Sequence, residues 1–253
     1  MSLTGREIYR CYDELGSIQV FEDHDRRFLT FDGDAEQSCV LLEQPWSPVY
    51  QYCQAMLMAS AFFDQPPQRA MMAGLGGGSM IHSLLRIHPQ LHLEVLELRA
   101  AVIETARQFF LLDRAPAHRI HNIDATHFKG HGEGYDLIIS DLFLDNCMNP
   151  AQLAESYTGH CQRMLSKRGI LVLNLWLEEK KSYPDAIASL SQQFAGQLLS
   201  AEVPEGNLVL YLFNDKAPPF SHRILQRNAR ALAKQLDAPM QRVAAAISRP
   251  AFN

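Results

Sequence analysis

The chain has 253 residues, 47% of them hydrophobic and 20% charged, with a formal net charge of −5. That composition excludes a disordered polymer, and the acidic balance argues against nucleic-acid binding by broad phosphate neutralisation. The length suits one large α/β domain with a small appendage.

The amino terminus is charged and lacks the apolar stretch of a secretion signal, which points to the cytoplasm. Ser17-Ile-Gln-Val-Phe-Glu and Arg27-Phe-Leu-Thr-Phe-Asp alternate apolar with polar residues between charged or glycine-containing turns, the pattern of short antiparallel hairpins. From Val49 to Phe63 apolar residues recur at helical spacing until Pro66-Pro67 stops the segment. The run Tyr52 to Phe63 is interrupted by Gln54 and Ser60 and falls short of the roughly 20 residues a bilayer span needs, so no membrane contact is expected. Beyond residue 69, apolar runs at Ala70–Ala73, Leu93–Glu97, Arg119–Ile123, Tyr135–Ser140 and Gly169–Leu175 alternate with helical patterns at 79–88, 99–112, 151–166 and 183–199. Such alternation is the signature of a parallel sheet covered by helices on both faces. Ala201–Asn207 and Leu208–Phe213 read as a final antiparallel hairpin, and Ile224–Leu236 and Met240–Ile247 as terminal helices. The reading is an α/β chain divided into a small β-hairpin domain (1–47), a Rossmann-like domain with a leading helix (48–216) and a helical tail (217–253).

Chemistry is concentrated at the ends of the apolar runs. Gly74-Leu75-Gly76-Gly77-Gly78-Ser79 follows the first run of the main domain and opens a helix, where glycines permit a tight turn and let a ligand approach backbone N–H groups. Glu97 ends the next run, about twenty residues on, placed to accept hydrogen bonds from ribose hydroxyls. Asp124, followed by Ala125, ends the third; it could accept a bond from an adenine amine or simply cap a helix. Asp141 ends the fourth run at the carboxyl edge of the sheet, where ligands of open α/β sheets sit, and is the strongest catalytic candidate. Cys11, Cys39, Cys53, Cys147 and Cys161 are odd in number and form no C-x-x-C, and the histidines form no H-E-x-x-H, so neither a disulfide framework nor a metal site is expected.

Ile18-Gln-Val-Phe-Glu, Phe31-Asp-Gly, Tyr52, the glycine loop, Leu96-Glu97, Ile123-Asp124-Ala125 and Tyr135-Asp-Leu-Ile-Ile-Ser-Asp141 together resemble the polyamine aminopropyltransferases, the spermidine and spermine synthases, over roughly residues 12–215. The resemblance implies a class I methyltransferase-like Rossmann domain, with a mostly parallel seven-stranded sheet and an antiparallel edge, behind an N-terminal β-hairpin domain. It also implies decarboxylated S-adenosylmethionine as donor and an amine, such as a polyamine, as acceptor. Gly74, Gly76, Gly78 and Ser79 would lie near the methionine-derived part of the donor, Glu97 on the ribose, Asp124 and Ala125 at the adenine, and Asp141 beside the attacking amine. Tyr52, Gln54 and Asp145 stand as acceptor-side candidates, and a homodimer is expected because family members commonly associate.

The chain departs from the family where positive charge is recognised. Ser79-Met80 stands where the family's loop carries an Asp that contacts the donor's amine, Tyr52-Cys53-Gln54 replaces Tyr-His-Glu, Leu144 replaces a second Asp with Asp145 one position later, and Arg99 replaces the acid two residues after Glu97. Each lost charged hydrogen bond removes about 1.5–3 kcal/mol of recognition. Two other readings therefore stand beside aminopropyl transfer: a methyltransferase using intact S-adenosylmethionine, and a non-catalytic nucleoside-binding relative.

Overall fold

The computed structural model describes residues 5–32, 36–115, 118–130, 134–144, 147–177 and 183–250. Strands β1 (Arg6–Asp13), β2 (Gly16–Asp23), β3 (Arg26–Thr30) and β4 (Glu36–Leu41) form an antiparallel meander in chain order. The expected hairpins are thus part of a four-stranded sheet. Strand β1 left no clean alternation in the sequence because it is half-buried or exposed along its length and bulged between Glu7 and Tyr9. The inward residues Ile18, Val20, Leu29 and Val40 join the main core, and Phe21, Phe28 and Cys39 pack together on the other face.

Helix α1 (Gln51–Leu57) tightens into a 3-10 turn at Met58–Phe62, so the long helical pattern of 49–63 is two shorter pieces. Its first N–H groups, of Gln51 and Tyr52, donate to the Glu205 carboxylate at 2.9 Å each, a cap supplied from far along the chain. The main sheet is then built from β5 (Arg69–Ala73), α2 (Ser79–Ile87), β6 (His92–Glu97), α3 (Ala100–Phe109), β7 (His118–Asn122) and β8 (Tyr135–Ser140). A two-residue ladder, β9 (Phe143–Leu144) with β10 (Cys147–Met148), leads to α4 (Glu155–Met164), β11 (Leu165–Trp176), α5 (Pro184–Gln193), β12 (Leu198–Glu202) and β13 (Asn207–Phe213). The tail folds as α6 (His222–Leu236), α7 (Met240–Ala246) and β14 (Ile247–Ser248).

Sheet order is β14-β12-β13-β11-β8-β5-β6-β7, with β11, β8, β5, β6 and β7 parallel and the remaining strands antiparallel. The sheet therefore has eight strands rather than seven. Ile247, read from the sequence as the end of a helix, is buried instead by pairing with Ala201 on the edge strand. Strand β8 is buried at every residue, as a central parallel strand must be. Side chains on the two faces of the sheet form two cores, one shared with the N-terminal sheet, α1 and the tail helices, the other under α4 and α5. No described helix is long and apolar enough to cross a membrane.

Candidate active site

Strand β5 has β6 on one side and β8 on the other, so the connections leaving it diverge and a crevice opens at the carboxyl ends of these three strands. The glycine loop occupies it. Gly74 has φ +96, and a Cβ there would lie 2.3 Å from the carbonyl oxygen of Asp141, so the β5 and β8 termini meet only because this residue is glycine. Gly76, φ +52, lies against Ser38 of the N-terminal sheet. The crevice forms a cavity of about 480 Å³ that stays partly open to solvent, within the roughly 300–1,000 Å³ range of small-molecule sites.

Gly74, Gly76, Ser79, Glu97, Asp124, Ala125, Asp141 and Tyr52 all line this cavity. Gly78 does not: it sits at φ +77 as the residue preceding α2, and a side chain there would strike Leu112. Gln54 does not line it either. It is 3% exposed and turns its amide to the carbonyl of Pro48, because the helical step from Tyr52 carries it to the buried face of α1. Asp145 lies outside the described residues.

Glu97 is fixed by the backbone around it: Oε2 accepts from Leu75 N at 3.1 Å and Oε1 from Arg99 N at 2.8 Å. Burial raises its pKa, and these N–H donors and the nearby Arg99 charge oppose the rise. Asp124 does cap a turn, Oδ1 accepting from the N and Oγ1 of Thr126 at 2.8 and 2.7 Å, while its side chain also borders the cavity. Asp141 is held on its backbone by Ala73 O at 2.9 Å, and its Oδ1 accepts from Nδ2 of Asn174 at 2.8 Å. Burial pushes the Asp141 carboxyl up to about 6, with the Asn174 bond working in the opposite direction. Tyr52 donates to Gln37 O at 3.3 Å and stacks on Tyr50, and burial raises its phenol well above the ordinary range.

Sequence reasoning missed part of the wall. Leu15, Phe31, Gln37 and Ser38 come from the N-terminal sheet, and Asn174, Trp176 and Asn207 from β11 and β13. Asn174 had a legible signal: it is the polar residue inside the apolar run of a strand whose carboxyl end faces the crevice. Arg99, the departure after Glu97, lines the cavity but is 8% exposed and fastened to the N-terminal sheet. It donates to Asp13 Oδ2 and Oδ1 at 2.9 and 2.7 Å and to Gly16 O at 3.0 Å, and its guanidinium lies 4.6 Å over the Phe31 ring. The carboxylates on the described wall are Glu36, Glu97, Asp124 and Asp141; Glu36 is paired with Arg26, and Arg99, the basic side chain of the wall, is spent on Asp13. Carboxylates thus outnumber basic side chains on the described wall.

A Rossmann-like sheet with an antiparallel edge, a glycine loop at its switch point and an acid ending the second strand define the class I S-adenosylmethionine methyltransferase-type fold. Within that class the chain is 28% identical over 228 residues to the polyamine aminopropyltransferase of Vibrio vulnificus (strain CMCP6), covering 87% of this chain and 75% of that protein. It is also 28% identical over 192 residues to the eEF1A lysine and N-terminal methyltransferase of Danio rerio, covering 70% of this chain but 28% of that larger protein. Among solved structures, a probable spermidine synthase from Corynebacterium glutamicum superposes with a TM-score of 0.74 at 22% identity, over 93% of this chain and 88% of that one. A spermidine synthase in complex with the transition state analogue AdoDATO gives 0.71 at 17% identity, over 97% and 85%. Human methyltransferase-like protein 13 in complex with SAH gives 0.62 at 22% identity, over 75% and 94%. No family model matches the chain. The chain is thus similar in sequence to the polyamine aminopropyltransferases and shares its fold with the spermidine synthases.

Proposed function

We propose that the protein is an aminopropyltransferase-like enzyme that moves an alkyl group from decarboxylated S-adenosylmethionine to an amine. The observation that carries this reading is the position of Asp141: a carboxylate at the switch point, beside the glycine loop, in a cavity whose wall carries more carboxylates than basic side chains. Glu97 has lone pairs free beside its backbone bonds for the two ribose hydroxyls. Ile123, Ala125 and Leu98 offer apolar surface to the adenine, and Asp124 Oδ2, which lies 3.8 Å from Nδ1 of His127, would accept from its amine.

In the reaction the acceptor nitrogen attacks the methylene carbon bonded to the sulfonium. The N–C bond forms as the C–S bond breaks, and the electron pair returns to sulfur to leave neutral methylthioadenosine. Asp141 holds the amine in line and takes the proton released from nitrogen, then passes it to water. A carboxyl raised to about 6 is ionised at neutral pH yet a better base than an ordinary aspartate.

A second reading, methyl transfer from intact S-adenosylmethionine, is favoured by one feature: α2 opens beside the glycine loop with no acid in its first turn and with Ser79 as its first residue. An uncompensated helix N-terminus attracts the donor carboxylate that the decarboxylated form lacks. The likeness to the eEF1A methyltransferases points the same way. Calorimetric titration with both donors separates the two. Tighter binding of the decarboxylated donor supports aminopropyl transfer, whereas tighter binding of the intact donor favours methylation.

A further inference from the structure

Behind Asp141 runs a short chain of buried amides. Nδ2 of Asn174 donates to Asp141 Oδ1 at 2.8 Å, and Nδ2 of Asn207 donates to Asn174 Oδ1 at 3.0 Å. The polarity of this chain follows from its end: an ionised carboxylate can only accept, so Asn174 presents its amino group to Asp141 and its carbonyl to Asn207, and Asn207 must then present its own amino group. Asn207 Oδ1 is left buried, with no hydrogen-bond partner among the described residues. Asn174 and Asn207 are 1% and 3% exposed, so the bond between them is shielded from bulk solvent. An orphaned buried carbonyl is a cost that packing gives no reason to keep, since a leucine would fill the same space without it.

Asn207 closes the turn between β12 and β13, and other atoms of that turn also reach the cavity wall. Its carbonyl accepts from Val203 N at 2.9 Å, and Gly206 O accepts from Leu177 N at 2.7 Å, just past Trp176. Glu205 holds the first N–H groups of α1, whose Tyr52 and Cys53 line the cavity. The groups facing Asp141 are Asn174 from β11, the phenol of Tyr52 and thiol of Cys53 from α1, both of which its charge helps keep protonated, and the bare backbone of Gly74 from the glycine loop.

We infer that the 203–207 turn is a positioning element of the active site, in which Asn207 acts through Asn174 to hold the Asp141 carboxylate in one orientation toward the acceptor. Asn207 reaches Asp141 only through Asn174; its role is to stop Asn174 from rotating and to polarise the amide that donates to Asp141. The inference rests on the reading of Asp141 as proton acceptor for its consequence in catalysis, but not for its geometry.

The geometric part is tested on the wild-type protein by following the side-chain amide protons of Asn174 and Asn207 by NMR from pH 5 to 8. Both sets are expected to shift with one common midpoint, that of Asp141, and to be flat in Asp141→Asn. Asn207 signals that stay flat in the wild type while those of Asn174 move would overturn the relay. For the catalytic part, Asn207→Leu is expected to lower kcat for methylthioadenosine release roughly tenfold, with the KM for decarboxylated donor within about twofold of wild type. A rise in KM with kcat unchanged, or unchanged kinetics in a folded variant, overturns the positioning role. If the wild type releases no methylthioadenosine with any amine, the aminopropyl reading fails, and the NMR titration alone judges the relay.

Discussion

Asp141→Asn is expected to make the protein more stable while removing its activity. The carboxyl is raised from 3.8 to about 6, chiefly by burial. At about 1.4 kcal/mol per pH unit this sets a ceiling of about 3 kcal/mol on the cost of holding the charge in the folded state. The cavity is open to water on one side, which lowers the figure to about 1–3 kcal/mol. Asparagine has nearly the same shape and keeps an oxygen for Asn174, so little packing is lost. The sign is set by the direction of the shift. A group whose folded value is raised stabilises most below the unfolded value of 3.8 and loses that contribution as pH rises through about 6. The gain in the variant should therefore be about a third of its full size at pH 4.5 and complete at pH 8, measured as the change in urea unfolding free energy at the two pH values. An equal difference at both, or a variant less stable at pH 8, would refute the claim that this carboxylate is destabilised by its site.

Glu97→Gln should weaken binding of methylthioadenosine about 10- to 100-fold by calorimetry, because the charged acceptor offered to the ribose is lost. Gly74→Ala should lower stability by about 2–4 kcal/mol in the same unfolding assay, since the new methyl group meets the Asp141 carbonyl at a backbone angle that L-residues resist. Arg99→Ala should cost about 2–3 kcal/mol and speed hydrogen exchange across residues 13–17, because Asp13 and Gly16 O lose their shared donor. Its hydrogen bond to Arg99 is the main influence holding the Asp13 carboxyl below its ordinary value, so the contact stabilises at neutral pH and fades as pH falls through the carboxylate range. The Arg99→Ala penalty should shrink accordingly toward pH 3.

The centre of the main sheet was legible because β5, β6, β8 and β11 carry short apolar runs between segments of helical period. The acids at the strand ends, Glu97 and Asp141, followed from that register. What escaped was set by tertiary pairing. β1 lacks alternation because little of it is buried, and Ile247 became a strand because the β12 edge was open to it. At the site, the sequence cannot say which residues of a distant hairpin fold over the crevice, so Leu15 and Ser38 were invisible, as was the use of Arg99 as a fastener. Gln54 was misplaced by two steps of helix: Tyr52 faces the cavity, and a residue two positions on points elsewhere.

Incubation of the purified protein with decarboxylated S-adenosylmethionine and a panel of amines, with methylthioadenosine and alkylated amine quantified together, tests the central claim most directly. Equimolar amounts of both products are expected with at least one amine, with formation that falls away as pH drops below about 6, and none in Asp141→Asn. Release of S-adenosylhomocysteine from the intact donor, with no methylthioadenosine from the decarboxylated one, would contradict it.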